Sequence, residues 1–303
     1  MEEWIIRKTD EGKRLDAFFM EKKNWGRAFF MKSLRTNKIK VNGRKETPAY
    51  RMKEGDQLRS FVLEKEKKEI HPVTILYEDE NILAVDKPAG LLSLDVTGKE
   101  KDTLLDRVNL LMEARKEGKV YPVHRIDFNT SGILLLAKDR ESAAILENLI
   151  RERKIHKSYF LVVRGDMKPS SGRLTHYLFK DARKNQVYVS DEPVKGAKTA
   201  VLDYEKKGYR DGLSLLECHL ITGRTHQIRS QMAHMGHPLL GDDKYGSKEW
   251  NKKMGERRQL LCAWKIIFDF KEGAGKLSYL SGKMIHLSKI SFVTRYFRGI
   301  PLI

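Results

Sequence analysis

A run of small and polar residues, His124-Arg125-Ile126-Asp127-Phe128-Asn129-Thr130-Ser131-Gly132, stands between two apolar stretches of a 303-residue chain. It places Asp127 in a loop feeding the apolar run that follows. Two readings of that carboxylate are open on local pattern: a reactive group, or a cap on the turn through Asn129 and Thr130. A protein-kinase loop is excluded, because Ile126 separates Arg125 from Asp127 and the chain lacks a Gly-rich phosphate loop and Asp-Phe-Gly. A second polar stretch, Thr222-Gly223-Arg224-Thr225-His226-Gln227-Ile228-Arg229, follows an apolar strand. Thr225 is placed to cap a helix whose inward face is Ile228, Met232 and Met235 and which Gly236 ends. Arg224 precedes that helix and Arg229 lies on its first turns, near backbone N–H groups that favour anions. This stretch is either part of a catalytic site or a phosphate-contacting basic turn. His226, His234 and His237 do not read as a metal site, since no Cys, no His-Glu-x-x-His and no cluster of acids accompanies them. A third stretch, Lys157-Ser158-Tyr159, opens a strand, and Tyr159 is either packing or a platform for a nucleobase.

The elements that must position these groups read as an α+β domain. Asn81–Val85 is a buried strand stopped by Asp86-Lys87-Pro88-Ala89-Gly90. Gly132–Ala137 is a second strand, and Ile145, Leu146, Leu149 and Ile150 mark an amphipathic helix after it. Tyr159, Leu161 and Val163 alternate as a third strand, and Leu213–Ile221 is a fourth. Strands follow one another without intervening helices, which favours a mixed, largely antiparallel central sheet over a doubly wound parallel one.

The whole chain carries 59 Lys+Arg against 41 Asp+Glu, a formal net charge of +18. Such an excess concentrates polyanions near the protein, nucleic acid first among them. Part of it is gathered early: Arg27 to Arg59 holds ten Lys/Arg and three acids, a local excess of +7. Within it, Lys32, Arg35, Lys38, Lys40, Arg44 and Lys45 occur with no acid between Met31 and Lys45. Leu15, Phe18 and Phe19 give one helical pattern there, and Ala28, Met31 and Leu34 another that sets Lys32 and Arg35 on one face. Ile39-Lys40-Val41 then runs into Asn42-Gly43, a hairpin signal. A basic helix and hairpin form a small α/β module with a cationic ledge for phosphates. The charged run Glu64–Glu69 reads as a linker, dividing the chain into 1–68 and 69–303.

Composition excludes other classes. At 40% hydrophobic and 33% charged, with 12 Phe, 11 Tyr and 4 Trp, the chain buries a core and is not disordered. No apolar run reaches the roughly 18–20 residues of a membrane span. The acidic start Met1-Glu2-Glu3-Trp4 is no secretory signal, and Cys218 and Cys262 allow one disulfide at most. A cytoplasmic protein is expected.

In order along the chain, these motifs resemble the RluA-type RNA pseudouridine synthases. The family signature His-Arg-(Leu/Ile)-Asp-x-x-Thr-Ser-Gly is met by His124–Gly132 at every fixed position. Lys87-Pro88-Ala89-Gly90 and Lys157-Ser158-Tyr159 match two further motifs. Thr222–Arg229, continuing through Gly236-His237-Pro238, Gly241-Asp242 and Tyr245-Gly246, matches a fourth. The match extends from about Tyr77 to Trp264, and Arg14–Arg59 resembles the small alpha-L RNA-binding domain that many members carry. Two departures fall outside the matched catalytic positions. Leu91-Leu92-Ser93-Leu94-Asp95 stands where many relatives have a histidine, and Cys262 stands where they often have another.

The resemblance implies that Asp127 is the catalytic aspartate, Tyr159 the active-site tyrosine and Arg229 the arginine paired with the aspartate. It implies RNA contacts from Arg125 and Arg224. The reaction breaks the bond from ribose to the uracil nitrogen, turns the base and rejoins it through a ring carbon. No atoms are gained or lost, so no metal, redox cofactor or nucleotide is expected. Positive charge developing on the ribose calls for an adjacent ionised carboxylate, as in glycoside hydrolysis, and a buried Arg229 would hold it in that form. Flipping the base costs a few kcal/mol, which stacking on Tyr159, worth about 1–3 kcal/mol, would largely offset. Large-subunit ribosomal RNA is the expected substrate class, with transfer RNA also open. The alternative class is an RNA-binding ribosome-assembly factor with an unused site, against which the joint presence of Asp127, Tyr159 and Arg229 argues.

Overall fold

The computed structural model describes residues 1–23, 25–62, 71–95, 102–181 and 183–302. The chain divides into two compact units, Met1–Glu69 and Ile70–Ile303. The run Glu64–Glu69, expected to be a linker, lies outside the described residues.

In the first unit, β1 (Glu2–Ile5), α1 (Leu15–Lys23), α2 (Arg27–Arg35), β2 (Ile39–Val41) and β3 (Gln57–Ser60) follow one another. β3 lies between β1 and β2, antiparallel to both. The core is aromatic, with Phe18, Phe19, Trp25 and Phe30 packed together and Phe19 stacked on Trp25 at 5.1 Å. α1 buries Leu15, Phe18 and Phe19, as its periodicity requires. α2 is rotated from the expected face: it buries Phe30, Ser33 and Leu34, while Ala28 is exposed and Met31 is 44% exposed. Phe30 and Leu34, four residues apart, bring more apolar area to the core than Ala28 and Met31 could, and area decides the rotation. Asn42 and Gly43 form a tight turn with φ of 49° and 76°. The hairpin stops after the single Val41–Arg44 bridge, because Asn42 instead exchanges hydrogen bonds with Gln57, drawing β3 in as the partner of β2.

The second unit runs β4 (Thr74–Glu78), β5 (Ile82–Lys87), α3 (Leu104–Ala114), β6 (Tyr121–Pro122), β7 (Ser131–Ala137), α4 (Arg140–Arg151), β8 (Ile155–Arg164), β9 (Ser171–Asp181) and β10 (Gln186–Ser190). It continues with β11 (Lys198–Arg210), β12 (Leu213–Leu220), α5 (Gln227–His234), α6 (Lys248–Lys253), β13 (Leu261–Phe268), β14 (Met284–His286) and α7 (Ser291–Tyr296). The sheet order is β10-β9-β11-β12-β8-β13-β7-β5-β4, with β14 on β13 and β6 on β7. Its pairings are antiparallel except β13 with β7, so the sheet is mixed and largely antiparallel.

Both faces of the sheet centre are covered, which is why its strands read as continuous apolar runs. In β7, Ile133, Leu135 and Ala137 join one cluster with Leu146 and Leu149 of α4 and Phe292 of α7. Leu134 and Leu136 join the other, with Val108 and Met112 of α3 and Ile228 and Met232 of α5. Gly132 has a φ of 105°, and a Cβ there would meet the Ala263 carbonyl oxygen at 2.1 Å. Only glycine admits this approach, which zips β7 to β13 directly after the polar loop. No helix among the described residues is long and apolar enough to cross a membrane.

Candidate active site

The loop 123–130 between β6 and β7 is pinned on both sides of Asp127. On one side Ser93 Oγ donates to the Ile126 carbonyl at 2.9 Å and accepts the Ile126 N–H at 3.2 Å. On the other, the fully buried Lys87 ammonium donates to the carbonyls of Phe128 (3.1 Å), Leu91 (2.7 Å) and Pro88 (2.9 Å). Burial pulls the Lys87 pKa down to about 8, with the Asp127 charge opposing the shift. His124 Nε2 accepts the Leu135 N–H at 3.1 Å, tying the loop to β7. Burial pushes the His124 pKa down to about 3, so the ring is neutral. The turn after Asp127 is closed by backbone, the Thr130 N–H donating to the Asp127 carbonyl at 3.0 Å, and not by the side-chain cap that was one of the two open readings. The Asp127 carboxylate is left to face the cleft.

Arg229 reaches that carboxylate from α5. Its Nη1 donates to Asp127 Oδ2 at 3.4 Å, while Nε and Nη2 donate to Asp242 Oδ2 and Oδ1 at 2.6 and 3.0 Å. The side chains of Arg229 and Asp242 are 9% and 1% exposed, and that of Asp127 is 24%. Burial works against the Arg229 cation, but the bonds and charge of Asp242, then Asp127, outweigh it and hold the guanidinium pKa above its ordinary value. Asp242 therefore grips the arginine, and the arginine presents its remaining nitrogen to Asp127. Tyr245 completes the mount: its ring lies 5.2 Å from the guanidinium, and its hydroxyl sits 2.8 Å from His226 Nδ1 and accepts the Val187 N–H.

The helix start differs from the expected one. His226, with a left-handed φ of 52°, occupies the cap position of α5, and no side chain caps it. Gln227 takes over the loop instead of Thr225, its Oε1 accepting from the Arg224 N–H and the Thr222 hydroxyl. Ile228 and Met232 face inward as expected, but Met235 lies past the helix and is 40% exposed. Burial pushes the His226 pKa down to about 4. His234 does not join His226 and His237; its Nε2 lies 2.9 Å from Asp191 Oδ1, with His176 Nε2 at 3.5 Å from the same oxygen.

A cavity of about 600 Å³ opens over these groups, lined by Asp127, Tyr159, Arg229, His226, Arg125 and Arg224, among others. Tyr159 lies within β8, which begins at Ile155, opposite Cys218 and Ala263. It is 6% exposed, and burial, with Asp127 adding, raises its phenol pKa, so the ring is neutral. Arg125 and Arg224 are exposed at the cavity, Arg224 anchored by a bond from Nε to the Thr199 carbonyl at 3.1 Å. Lys32, Arg35, Lys38, Lys40, Arg44 and Lys45 belong to the first unit. There Lys32, Arg35 and Lys45 line a shallow groove with Ala28 and Met31, and no ion pair engages these six cations among the described residues.

A carboxylate facing a cleft, one cation drawn against it and a neutral aromatic wall suit chemistry at a sugar carbon next to a flat base. The profile of the family described as RNA pseudouridylate synthase matches residues 81–234, which span the loop, β8 and α5. The chain belongs to this family. It is similar to the ribosomal large subunit pseudouridine synthase C of Buchnera aphidicola subsp. Schizaphis graminum, 33% identical over 87% of this chain and 88% of that one. It is also similar to the enzyme of the same name from Escherichia coli (strain K12), 31% identical over 83% and 82%. Human RNA Pseudouridylate Synthase Domain Containing 4 shares the fold, with a TM-score of 0.58 at 22% identity, covering 72% of this chain and 89% of that one. An RNA pseudouridine synthase is an isomerase, as the motifs imply.

Four residues that support this cleft were not singled out one by one from sequence: Asp242, Tyr245, Lys87 and Ser93. A signal existed for the first. A buried arginine facing a single partly exposed acid leaves donors unpaired, so a second carboxylate was required. Ser93 had none, since its role depends on a loop returning from 33 residues away.

Proposed function

We propose that this enzyme isomerises specific uridines of large-subunit ribosomal RNA, with Asp127 as the catalytic carboxylate, Arg229 its charge partner and Tyr159 the wall on which the flipped uracil rests. The observation that carries the reading is the Asp127–Arg229–Asp242 chain inside the cleft. A carboxylate whose partner is itself held bidentate keeps a fixed position through the reaction. Whether the carboxylate attacks the ribose carbon or removes a ribose proton, it acts in its ionised form. The net change is the same: the N1–C1′ bond breaks, a C5–C1′ bond forms, and the proton lost from C5 is balanced by one gained at N1. Arg125, exposed beside Asp127, contacts the RNA backbone or fills the place the base leaves. The names of the similar bacterial enzymes support ribosomal RNA over transfer RNA, and the site needs no metal or cofactor for this redox-neutral rearrangement. A cytoplasmic setting accords with such a substrate.

The first unit is read as an alpha-L type RNA-binding domain, its ledge of Lys32, Arg35, Lys38, Lys40, Arg44 and Lys45 serving phosphates. Removing residues 1–68 is expected to weaken RNA binding and flatten its salt dependence; an unchanged slope would reject that role. The reaction itself is tested by carbodiimide mapping of pseudouridine in RNA from cells with and without the gene. Loss of modification at a defined large-subunit uridine is expected, and no loss anywhere would reject the substrate assignment.

A further inference from the structure

Three side chains that the reaction does not use converge at the end of α5. His176 of β9, His234 of α5 and Asp191, just past β10, each bring one ligand atom to within 4.8 Å of the others. His234 Nε2 lies 2.9 Å and His176 Nε2 3.5 Å from the same atom, Asp191 Oδ1. The two imidazole rings meet edge to face at 5.1 Å. Asp191 follows Ser190, the register partner of Tyr177, and so arrives beside His176. None of the three lines the catalytic cavity. Because the set is drawn from three separate elements, no spacing of histidines announces it.

A hydrogen bond accounts for one of these contacts but not for the convergence. One imidazole is enough to hold the carboxylate, and in a chain of net charge +18 no Lys or Arg pairs with Asp191 among the described residues. Burial, then the charge of His234, pull the His176 pKa down, so that ring is neutral near pH 7 and ligates without losing a proton. The distances suit a small cation: zinc bonds of about 2.0–2.2 Å in a tetrahedron set the donors about 3.3 Å apart, and the observed 2.9 and 3.5 Å straddle that value. Gln231 supplies the outer support. Its Nε2 lies 2.9 Å from His176 Nδ1, and its Oε1 is buried without a partner. Turning the carboxamide end for end brings Oε1 to Nδ1, which then donates and leaves the Nε2 lone pair for the cation. The His176 side chain is 8% exposed and that of Asp191 73%, so the set is anchored inside and open to solvent on one side.

We propose that His176, Asp191 and His234 form a binding site for a divalent transition-metal ion, zinc above all, with water as the fourth ligand. Two imidazoles select against Mg²⁺ and Ca²⁺, which take oxygen ligands. Three protein ligands and a water make the ion exchangeable, unlike one closed in by four protein ligands. The ion lies outside the cleft, so it acts as a clamp and takes no part in the reaction. It joins the end of α5, whose first turn carries Arg229, to β9 and to the turn after β10. The clamp does not depend on the proposed reaction.

The test uses the untagged full-length protein, stripped with EDTA and titrated calorimetrically with Zn²⁺ and, separately, with Mg²⁺. One Zn²⁺ is expected to bind, and Mg²⁺ is not. At free zinc of about 100 times the dissociation constant, the melting temperature is expected to rise by about 5–11 °C. His234→Gln and Asp191→Asn each remove one ligand at a solvent-facing position. Both are expected to melt near the wild type without zinc, to lose the zinc-dependent rise, and to bind zinc more weakly by over about 100-fold, beyond the roughly 10- to 100-fold typical of losing an outer-shell partner. His237→Gln, outside the set, is expected to bind zinc like the wild type. Zinc bound as tightly by both ligand variants would overturn the site, as would a wild type that binds none or whose melting temperature zinc leaves unchanged. Mg²⁺ binding as strong as Zn²⁺ binding would overturn the class of ion.

Discussion

Removing the Asp242 carboxylate is the sharpest structural perturbation of the site that leaves Asp127 intact. Asp242 makes the two short contacts to Arg229, at 2.6 and 3.0 Å, whereas Asp127 makes one at 3.4 Å. With side-chain exposures of 9% and 1%, this is a buried pair, so the small values typical of surface ion pairs do not apply. Deleting one member of such a pair strands the other charge and costs about 3–5 kcal/mol. At roughly 2–4 °C per kcal/mol for a domain of this size, Asp242→Ala is expected to melt about 6–20 °C below wild type. Below that transition the arginine loses its mount, and a displacement of about 1 Å at a reacting group costs on the order of a hundredfold in rate. Turnover is read as tritium released from C5 of uracil-labelled RNA, since the new bond to ribose displaces that hydrogen. Asp242→Asn, which keeps the acceptor for the Lys244 and Tyr245 N–H groups but not the charge, is expected to fall between the two. An Asp242→Ala enzyme within about 1 kcal/mol of wild type and fully active would refute the claim that Asp242 holds Arg229.

Three other perturbations follow from the same geometry. Gly132→Ala places a methyl 2.1 Å from the Ala263 carbonyl at a φ of 105°, so β7 and β13 must part; a loss of several kcal/mol is expected in urea unfolding, and wild-type stability would contradict the close approach. Ser93→Ala and Lys87→Met each unpin one side of the Asp127 loop, and both are expected to lower kcat by more than they raise KM; a pure KM effect would mean the loop is held by other contacts. Burial holds the His124 pKa near 3, below its unfolded value, so the folded state binds fewer protons between these two values. The stability this contributes is fully present above about pH 6.5 and is lost as pH falls toward 3, by up to about 1.4 kcal/mol per pH unit. His124→Gln, which can still accept the Leu135 N–H, is expected to flatten that slope, and an unchanged slope would place the titrating group elsewhere.

Much of the second unit was legible because its strands are covered on both sides. Ile133–Ala137 could only be a buried strand, and the polar residues before it could only be a loop. Sequence periodicity failed where two faces competed. In α2, Ala28, Met31 and Leu34 repeat as regularly as Phe30 and Leu34, and only the volume of the aromatic core selects the second set. At α5, Thr225 has the right side chain for a cap, but the left-handed His226 and the amide of Gln227 already close the turn. Asp127, Tyr159 and Arg229, far apart along the chain, were united in advance by motif resemblance; periodicity alone left Tyr159 as packing. The support around them was harder to see. Lys87 and Ser93 act through carbonyl and N–H groups of another loop, and backbone contacts of that kind leave no pattern in side-chain types.

The central claim is that one carboxylate performs the isomerisation, and Asp127→Asn tests it most directly. The Asp127 side chain is partly exposed and its single contact to Arg229 is long, so the substitution is expected to cost little stability and to leave RNA affinity near wild type. Carbodiimide mapping of ribosomal RNA from cells that carry only this variant is the measurement. Complete loss of the wild-type pseudouridine, with the folded protein still bound to RNA, is the expected result. Pseudouridine at wild-type levels in those cells would contradict the account.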